Sequence, residues 1–345
     1  MKLQIKLAFM ALCSLLFVAC EPGGGRDDDL GKTFNVDEVY YVLNSGDNKS
    51  NNSSLTMYDA ATGAVSQWLF ETQNKRVLGN TANDIVVYGS KMYIAVTGES
   101  TIEVTDLCAR SIKQVKCDAQ PRYMAVDGGK VYISYYDGHV ARLDTATLNV
   151  DATIEVGRNP EQLAVVGKRL YVANSGGMDL YGEAGADKTV SVIDLESFKE
   201  VKKIEVALNP SCVVSDGNGV FVVSNGNYND IPGAFQYINA ADDAVTVIEE
   251  CSGIAELCYK NGVLYGFSWT PEYISYDVNS KVVDSPWVKE NEKPNPYKVC
   301  SVGEYLCVTA SDYTNDGDAY IYDTDGMLVK KVATGFNPIK MVKAK

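Results

Sequence analysis

Any chemistry in this chain has to manage with a single histidine, His139, among 345 residues. It sits in the tight turn Asp137-Gly138-His139-Val140, with no nucleophile elbow, phosphate loop or partner motif nearby, so it does not announce a catalytic centre. Metal ligation would fall to carboxylates and thiols. Asp312, Asn315, Asp316 and Asp318 offer hard oxygens to Ca²⁺, but they lack the spacing and closing Glu of an EF-hand loop. A solvated acidic loop is the expectation there, and no metal or cofactor is expected. Besides Cys13 and Cys20 there are Cys108, Cys117, Cys212, Cys251, Cys258, Cys300 and Cys307, an odd set without zinc spacing. Cys300 and Cys307 fall opposite each other if Gly303-Glu304 turns a hairpin. A disulfide formed on export and a pair of small buried side chains both fit that placement.

Recognition is better provided for than catalysis. Tyr135, Tyr136, Asn174, Tyr181, Tyr228, Trp269 and Tyr313 lie in or beside loops rich in Gly, Asn and Asp. Arg76, Arg122, Tyr123, Arg158 and Tyr297 lie in connecting segments. Tyr, Trp, Asn and Arg together make the composition of a binding surface. The candidate ligand-binding set is Tyr135, Tyr136, Tyr181, Tyr228, Trp269, Tyr313, Arg122, Arg158 and Asn174. About half of the rings are expected to be structural, because aromatics at strand ends also fill sheet interfaces. Lys plus Arg total 31 against 45 Asp plus Glu, a net charge of −14 with a pI near 4.6. That balance argues against nucleic acid, which needs a basic face. With 46% hydrophobic and 22% charged residues, the chain buries a large core.

The elements that hold these loops repeat. A strand with an aromatic anchor recurs as VYYVLN (39–44), MYIAV (92–96), VYISYY (131–136), LYVANS (170–175), VFVVSN (220–225), LYGFSW (264–269) and YLCVTA (305–310). Each is followed by a strand ending in an acid or amide: Asp59, Asp106, Asp144, Asp194, Asn239, Asp277 and Asp323. A more polar strand follows most of these, and another precedes the anchor, as in QLAVV (162–166). Four strands in a period of about 40 residues mark a β-propeller, since one such sheet buries both faces only between neighbours. The fold predicted is all-β: seven four-stranded antiparallel blades over residues 37–345.

The first copy lacks its innermost strand, and NPIKMV (337–342) matches NPEQLAV (159–165) and NPSCVV (209–214). The C-terminal strand should therefore join blade 1 and close the ring, removing two exposed edges. Asn-Pro steps at 159–160, 209–210, 295–296 and 337–338, with Gln120-Pro121 as a variant, should each begin an innermost strand, where proline loses no ladder bond. The loops between second and third strands share a face with the inter-blade connections. They are short in blades 2 and 3 and long in blades 1, 4, 5 and 7, the kind of loop in which propeller function tends to reside.

Residues 1–20 have a basic start at Lys2 and Lys6, an apolar run from Leu7 to Val18, and Ala19 before Cys20. This resembles a bacterial lipoprotein signal, with residues 1–19 removed and Cys20 lipidated, although Phe17 stands where Leu is usual. A plain secretory signal with a chance cysteine is the alternative. Residues 20–36 form a Gly-rich tether carrying Asp27, Asp28 and Asp29, similar to the export signal of surface lipoproteins of Gram-negative gut anaerobes; a merely soluble linker would look alike. No later stretch is long and apolar enough to span a membrane.

GRNPEQLAVVGKRLYVANS (157–175) and KTVSVIDLESFKEVKKIEVALNP (188–210) resemble the YVTN or YncE-like propeller repeat. The resemblance covers 37–345, more loosely in blades 6 and 7, and shows neither WD40 nor sialidase signatures. With the N-terminal signal and tether, and with no catalytic motif in the chain, the expectation is a non-enzymatic lipoprotein on the outer membrane, exposed at the cell surface. Its length, lipoprotein start, seven blades and acidity are similar to those of propellers that capture cobalamin and pass it to a TonB-dependent transporter. A surface scaffold for protein or glycan, and more remotely a lyase or hydrolase, share the same fold. An enzyme would need acids and a base gathered in the central funnel, and sequence spacing shows no such group.

Overall fold

The computed structural model describes residues 33–251 and 253–345. The signal segment 1–19, Cys20 and the tether through residue 32 lie outside the described residues. The remainder forms seven four-stranded antiparallel sheets arranged as a β-propeller. In blade 4 the order from the axis outwards is Pro160–Val166, Arg169–Asn174, Thr189–Asp194 and Lys199–Glu205.

Burial follows this radial order. The second strands Val39–Asn44 and Gly219–Ser224 are buried at every residue, because both of their faces meet another blade. The outermost strand Asn149–Glu155 alternates exposed and half-buried residues. The apolar residues gather in clusters between neighbouring sheets: Tyr93 and Val104 of blade 2 pack on Ile133 and Leu143 of blade 3. Each such side chain contributes about 1.5–3 kcal/mol by leaving water. Pro338–Lys343 pairs antiparallel with Val39–Asn44, Val42 facing Met341, so the last strand closes the ring on blade 1.

Asn-Pro is explained by two conformations placed side by side. Asn159, Asn209 and Asn337 have φ of 44, 62 and 54°, a left-handed turn that Asn tolerates, and Pro160, Pro210 and Pro338 each begin an innermost strand. The Asn amides then donate to loop carbonyls, Asn159 to Tyr136 at 3.0 Å, Asn209 to Gly226 and Asn337 to Gly46, both at 3.2 Å. Connection and loop are thereby fixed to one another on a single face.

The acids ending the third strands turn the opposite face. Asp144 accepts the amides of Ala146 and Thr147 at 3.0 and 2.8 Å, and Asp277 those of Asn279 and Ser280 at 3.0 and 2.7 Å. Asn239 does the same with Ala241 at 2.9 Å. These are side-chain-closed turns, and they hold the Asp277 carboxyl below the usual range, Ser280 being the main cause. A short helix, Leu69–Asn74, interrupts the repeat between blades 1 and 2. The sequence repeat gave no sign of it.

Candidate functional site

The axis of the ring is a cavity of about 660 Å³, and its wall carries charge. Asp84, Arg122, Glu161, Glu256, Lys298 and Lys340 come from six different innermost strands. The sequence does not show this group because no two members are close in the chain. The signal was positional: at four of the five Asn-Pro or Gln-Pro steps the charge follows one or two residues after the proline, as in Pro121-Arg122, Pro160-Glu161, Pro296-Tyr297-Lys298 and Pro338-Ile339-Lys340, whereas Pro210 is followed by Ser211 and Cys212.

Every one of these charges is paired. Lys340 Nζ lies 2.7 Å from Asp84 Oδ1, and Arg122 Nη2 lies 2.7 Å from Glu161 Oε2. Lys298 is in close contact with Glu256, which also accepts from Gln162 Nε2 at 3.0 Å. Burial disfavours the Lys298 ammonium, but the Glu256 carboxylate outweighs it and holds the group well above its ordinary pKa. For Glu161 burial prevails over Arg122, and its pKa is raised. The guanidinium of Arg122 also lies over Tyr136, 4.3 Å from the ring centroid.

Above this floor stands an aromatic rim on blades 5, 6 and 7. Tyr228, from the loop after Gly219–Ser224, meets Trp269 edge to face at 5.8 Å, and Tyr297 meets Tyr313 likewise at 5.4 Å. Trp269 and Tyr313 are 62% and 63% exposed. Trp269 separates two hollows. One, about 260 Å³, runs to Tyr228; the other, about 240 Å³, runs to Tyr297 and Tyr313. Both reach down to Glu256 and Lys298.

Loop backbone positions the rings. Tyr228 and Tyr313 hold φ of 56 and 60°, which costs about 1–2 kcal/mol for a residue with a Cβ. Asn227 Oδ1 accepts the amides of Asn229 and Ile231, closing the loop around Tyr228. Gly226 must be glycine, since a Cβ there would stand 2.0 Å from the Ile231 carbonyl oxygen. Ser311 Oγ accepts the Tyr313 amide at 3.0 Å and donates to Asn337.

The sequence-predicted residues therefore separate. Tyr228, Trp269 and Tyr313 come together on the rim, and Arg122 reaches the floor beneath it. Tyr181, on the blade 4 insertion and 86% exposed, lies near enough to Tyr228 to act on its hydroxyl electrostatically. Tyr136 lies under Arg122, its hydroxyl pushed up to about 12 by burial. Tyr135 does not reach the face: it is buried in the blade 2–3 cluster, where its hydroxyl hydrogen bonds Cys117. Nor does Asn174, whose amide donates to Ser191 and Thr189 and accepts from Gly157 within the wall. Arg158 is occupied in holding the insertion, through Asp179 and the Gly185 carbonyl, both at 2.8 Å. Tyr123, Gln162 and Tyr297 also line the cavity.

The remaining candidates are turn chemistry. His139 opens the third strand of blade 3, its Nδ1 3.1 Å from Asp137. Asp312 accepts the amides of Thr314 and Asn315, both at 2.8 Å, while Asp318 pairs with Lys331 at 2.9 Å. Among the described residues no group of three or more acids, cysteines or histidines is placed to hold a metal ion. No helix among them is long and apolar enough to cross a membrane.

Comparison with known proteins agrees with this architecture. Residues 38–281 match the profile of a family described as a domain of unknown function, DUF5074. No curated protein matches the chain. Among solved structures, a candidate 6-phosphogluconolactonase from Bacteroides uniformis is 12% identical with a TM-score of 0.64, over 88% of this chain and 99% of that one. Hydrazine synthase from Kuenenia stuttgartiensis is 19% identical with a TM-score of 0.59, over 72% and 85%. Apo AztD from Citrobacter koseri is 10% identical with a TM-score of 0.56, over 88% and 97%. At these identities the likeness is one of fold, and propellers carry unrelated functions.

Proposed function

This chain belongs to the DUF5074 family, whose description assigns no function, and we propose from the mouth itself that it captures a large amphipathic ligand there without transforming it. One observation supports this above the others. Trp269 stands between two hollows, each floored by the same Glu256–Lys298 pair. Rings on the walls suit flat apolar surface, and a floor that both donates and accepts suits amide or hydroxyl groups. Catalysis is disfavoured because the acids and bases of the channel are bound to one another.

Cobalamin is the ligand proposed, a large molecule with a broad ring and many amide groups. In this reading Cys20 carries the lipid, the propeller sits at the outer face of the outer membrane, and the captured ligand passes to a TonB-dependent transporter. The acidic surface argues against a nucleic-acid partner. Titration of the purified soluble domain with cyanocobalamin tests the ligand: saturable one-to-one binding supports it, and no binding at micromolar concentration rejects it. Binding to glycans with none to corrinoids would instead favour a surface scaffold. Incorporation of labelled fatty acid, lost in C20A, tests the anchor.

A further inference from the structure

The channel wall holds a second kind of group that ligand capture does not use. Cys300 lies on the innermost strand Pro296–Val302 of blade 7 and lines the axial cavity. Cys307 lies on the neighbouring strand Tyr305–Ala310, directly opposite in register. Directly opposite residues on an antiparallel pair have Cα atoms about 4.5–5.5 Å apart, inside the span a disulfide accepts. The two thiols hydrogen bond to each other. We propose that Cys300 and Cys307 form a thiol-exchange site, in which a small soluble disulfide entering the channel oxidises the pair to a cross-strand disulfide.

The two sulfurs have different surroundings, and these assign their roles. Cys300 Sγ accepts the Met341 amide at 3.4 Å, and Lys340, next to Met341 on the strand Pro338–Lys343, lies near it. Donation from Cys307 is the largest influence on it, and together these lower its pKa despite burial. Cys307 is fully buried, and its hydrogen bond to Cys300 keeps it protonated. Cys300 faces the channel and Cys307 does not, so Cys300 is the attacking thiol and Cys307 the resolving one.

The exchange balances in two steps. Cys300 attacks one sulfur of the small disulfide RSSR; a protein–S–S–R bond forms, the RS–SR bond breaks, and the released RS⁻ takes the proton that Cys300 gave up. Cys307 then gives its proton to water and attacks Cys300 Sγ. The second RS⁻ leaves and is protonated in turn. Two protein thiols are oxidised and RSSR is reduced to two RSH. Facing Cβ atoms on paired strands stand about 4.5–5.5 Å apart, wider than the roughly 3.5–4.5 Å of an unstrained disulfide, so the bond should be readily reduced again.

The test is to incubate the reduced full chain with oxidised glutathione under native conditions, block free thiols after denaturation, and map peptides by mass. The expected result is a Cys300–Cys307 disulfide reversed by mild reductant, with Cys212, Cys251 and Cys258 still blocked as free thiols. C307S should stop at a glutathione adduct on Cys300, and C300S should carry no adduct on Cys307. Both thiols remaining free in the wild type, a bond mapped to another pair, or a C307S chain without adduct would each overturn the proposal.

Discussion

Two arcs of the same rim use similar residues to opposite ends. Over blades 2 to 4, Tyr135 is buried between sheets, Tyr136 lies under Arg122, and Asn174 and Arg158 are taken up by wall and loop. Over blades 5 to 7, Tyr228, Trp269 and Tyr313 stand in solvent, over floor charges that are paired but line the cavity. Both arcs are raised on the same strands, so the strands do not make the difference. Between blade 3 and blades 5 and 7, loop length and a left-handed turn do. In blade 3 the strand Lys130–Tyr135 passes to the next through a tight turn, and its last ring is drawn into the interface. In blades 5 and 7 an insertion with positive φ at the tyrosine itself lifts the ring clear.

The largest effect expected is on the floor. K298M removes one partner of a buried ion pair and leaves Glu256 without its cation, which should cost about 3–5 kcal/mol of stability. Y135A should cost about as much, by opening a cavity between blades 2 and 3. Neither measurement concerns ligand alone. The contrast is sharpened by pairing Y135A with W269A, comparing urea midpoints against affinities for the proposed ligand. Y135A should lower the midpoint, and if it weakens binding without lowering the midpoint, the two arcs have been assigned the wrong way round.

W269A is expected to do the reverse. Its ring is mostly exposed and lies between two hollows, so its loss should leave stability within about 0.5 kcal/mol. Its binding effect should be that of a central aromatic anchor, about 2 kcal/mol or roughly 30-fold in Kd, measured with cyanocobalamin. A midpoint drop comparable to that of Y135A would show that Trp269 is a wall residue.

The same contrast explains what could be read in the chain beforehand. Fold was legible because most copies repeat the residues that their turns require, such as Asn before Pro at the left-handed step and an acid at the end of the third strand. Closure was legible because NPIKMV is one of those copies. The rim was half legible. Aromatic type marks both a wall ring and a binding ring, and only the backbone angle at Tyr228 or the tight turn after Tyr135 tells them apart. The floor was not legible at all, since Lys298 and Glu256 meet only after two blades pack around the axis. Their chain separation of 42 residues is close to one repeat.

The smallest effect isolates the turn that lifts the ring. Y228A and Y228N remove the same aromatic surface and the same edge contact with Trp269, so each should lose ligand affinity to a similar degree. They differ in how well they tolerate φ of 56°. Alanine keeps the left-handed penalty in full, whereas asparagine, with a short side chain that bonds locally, enters that region readily. Y228N should therefore be the more stable of the two by about 1 kcal/mol, read from urea midpoints at equal slope. Equal midpoints would mean that the loop relaxes once the ring is gone, so that contact with Trp269, and not the 224–234 insertion, holds Tyr228 in place.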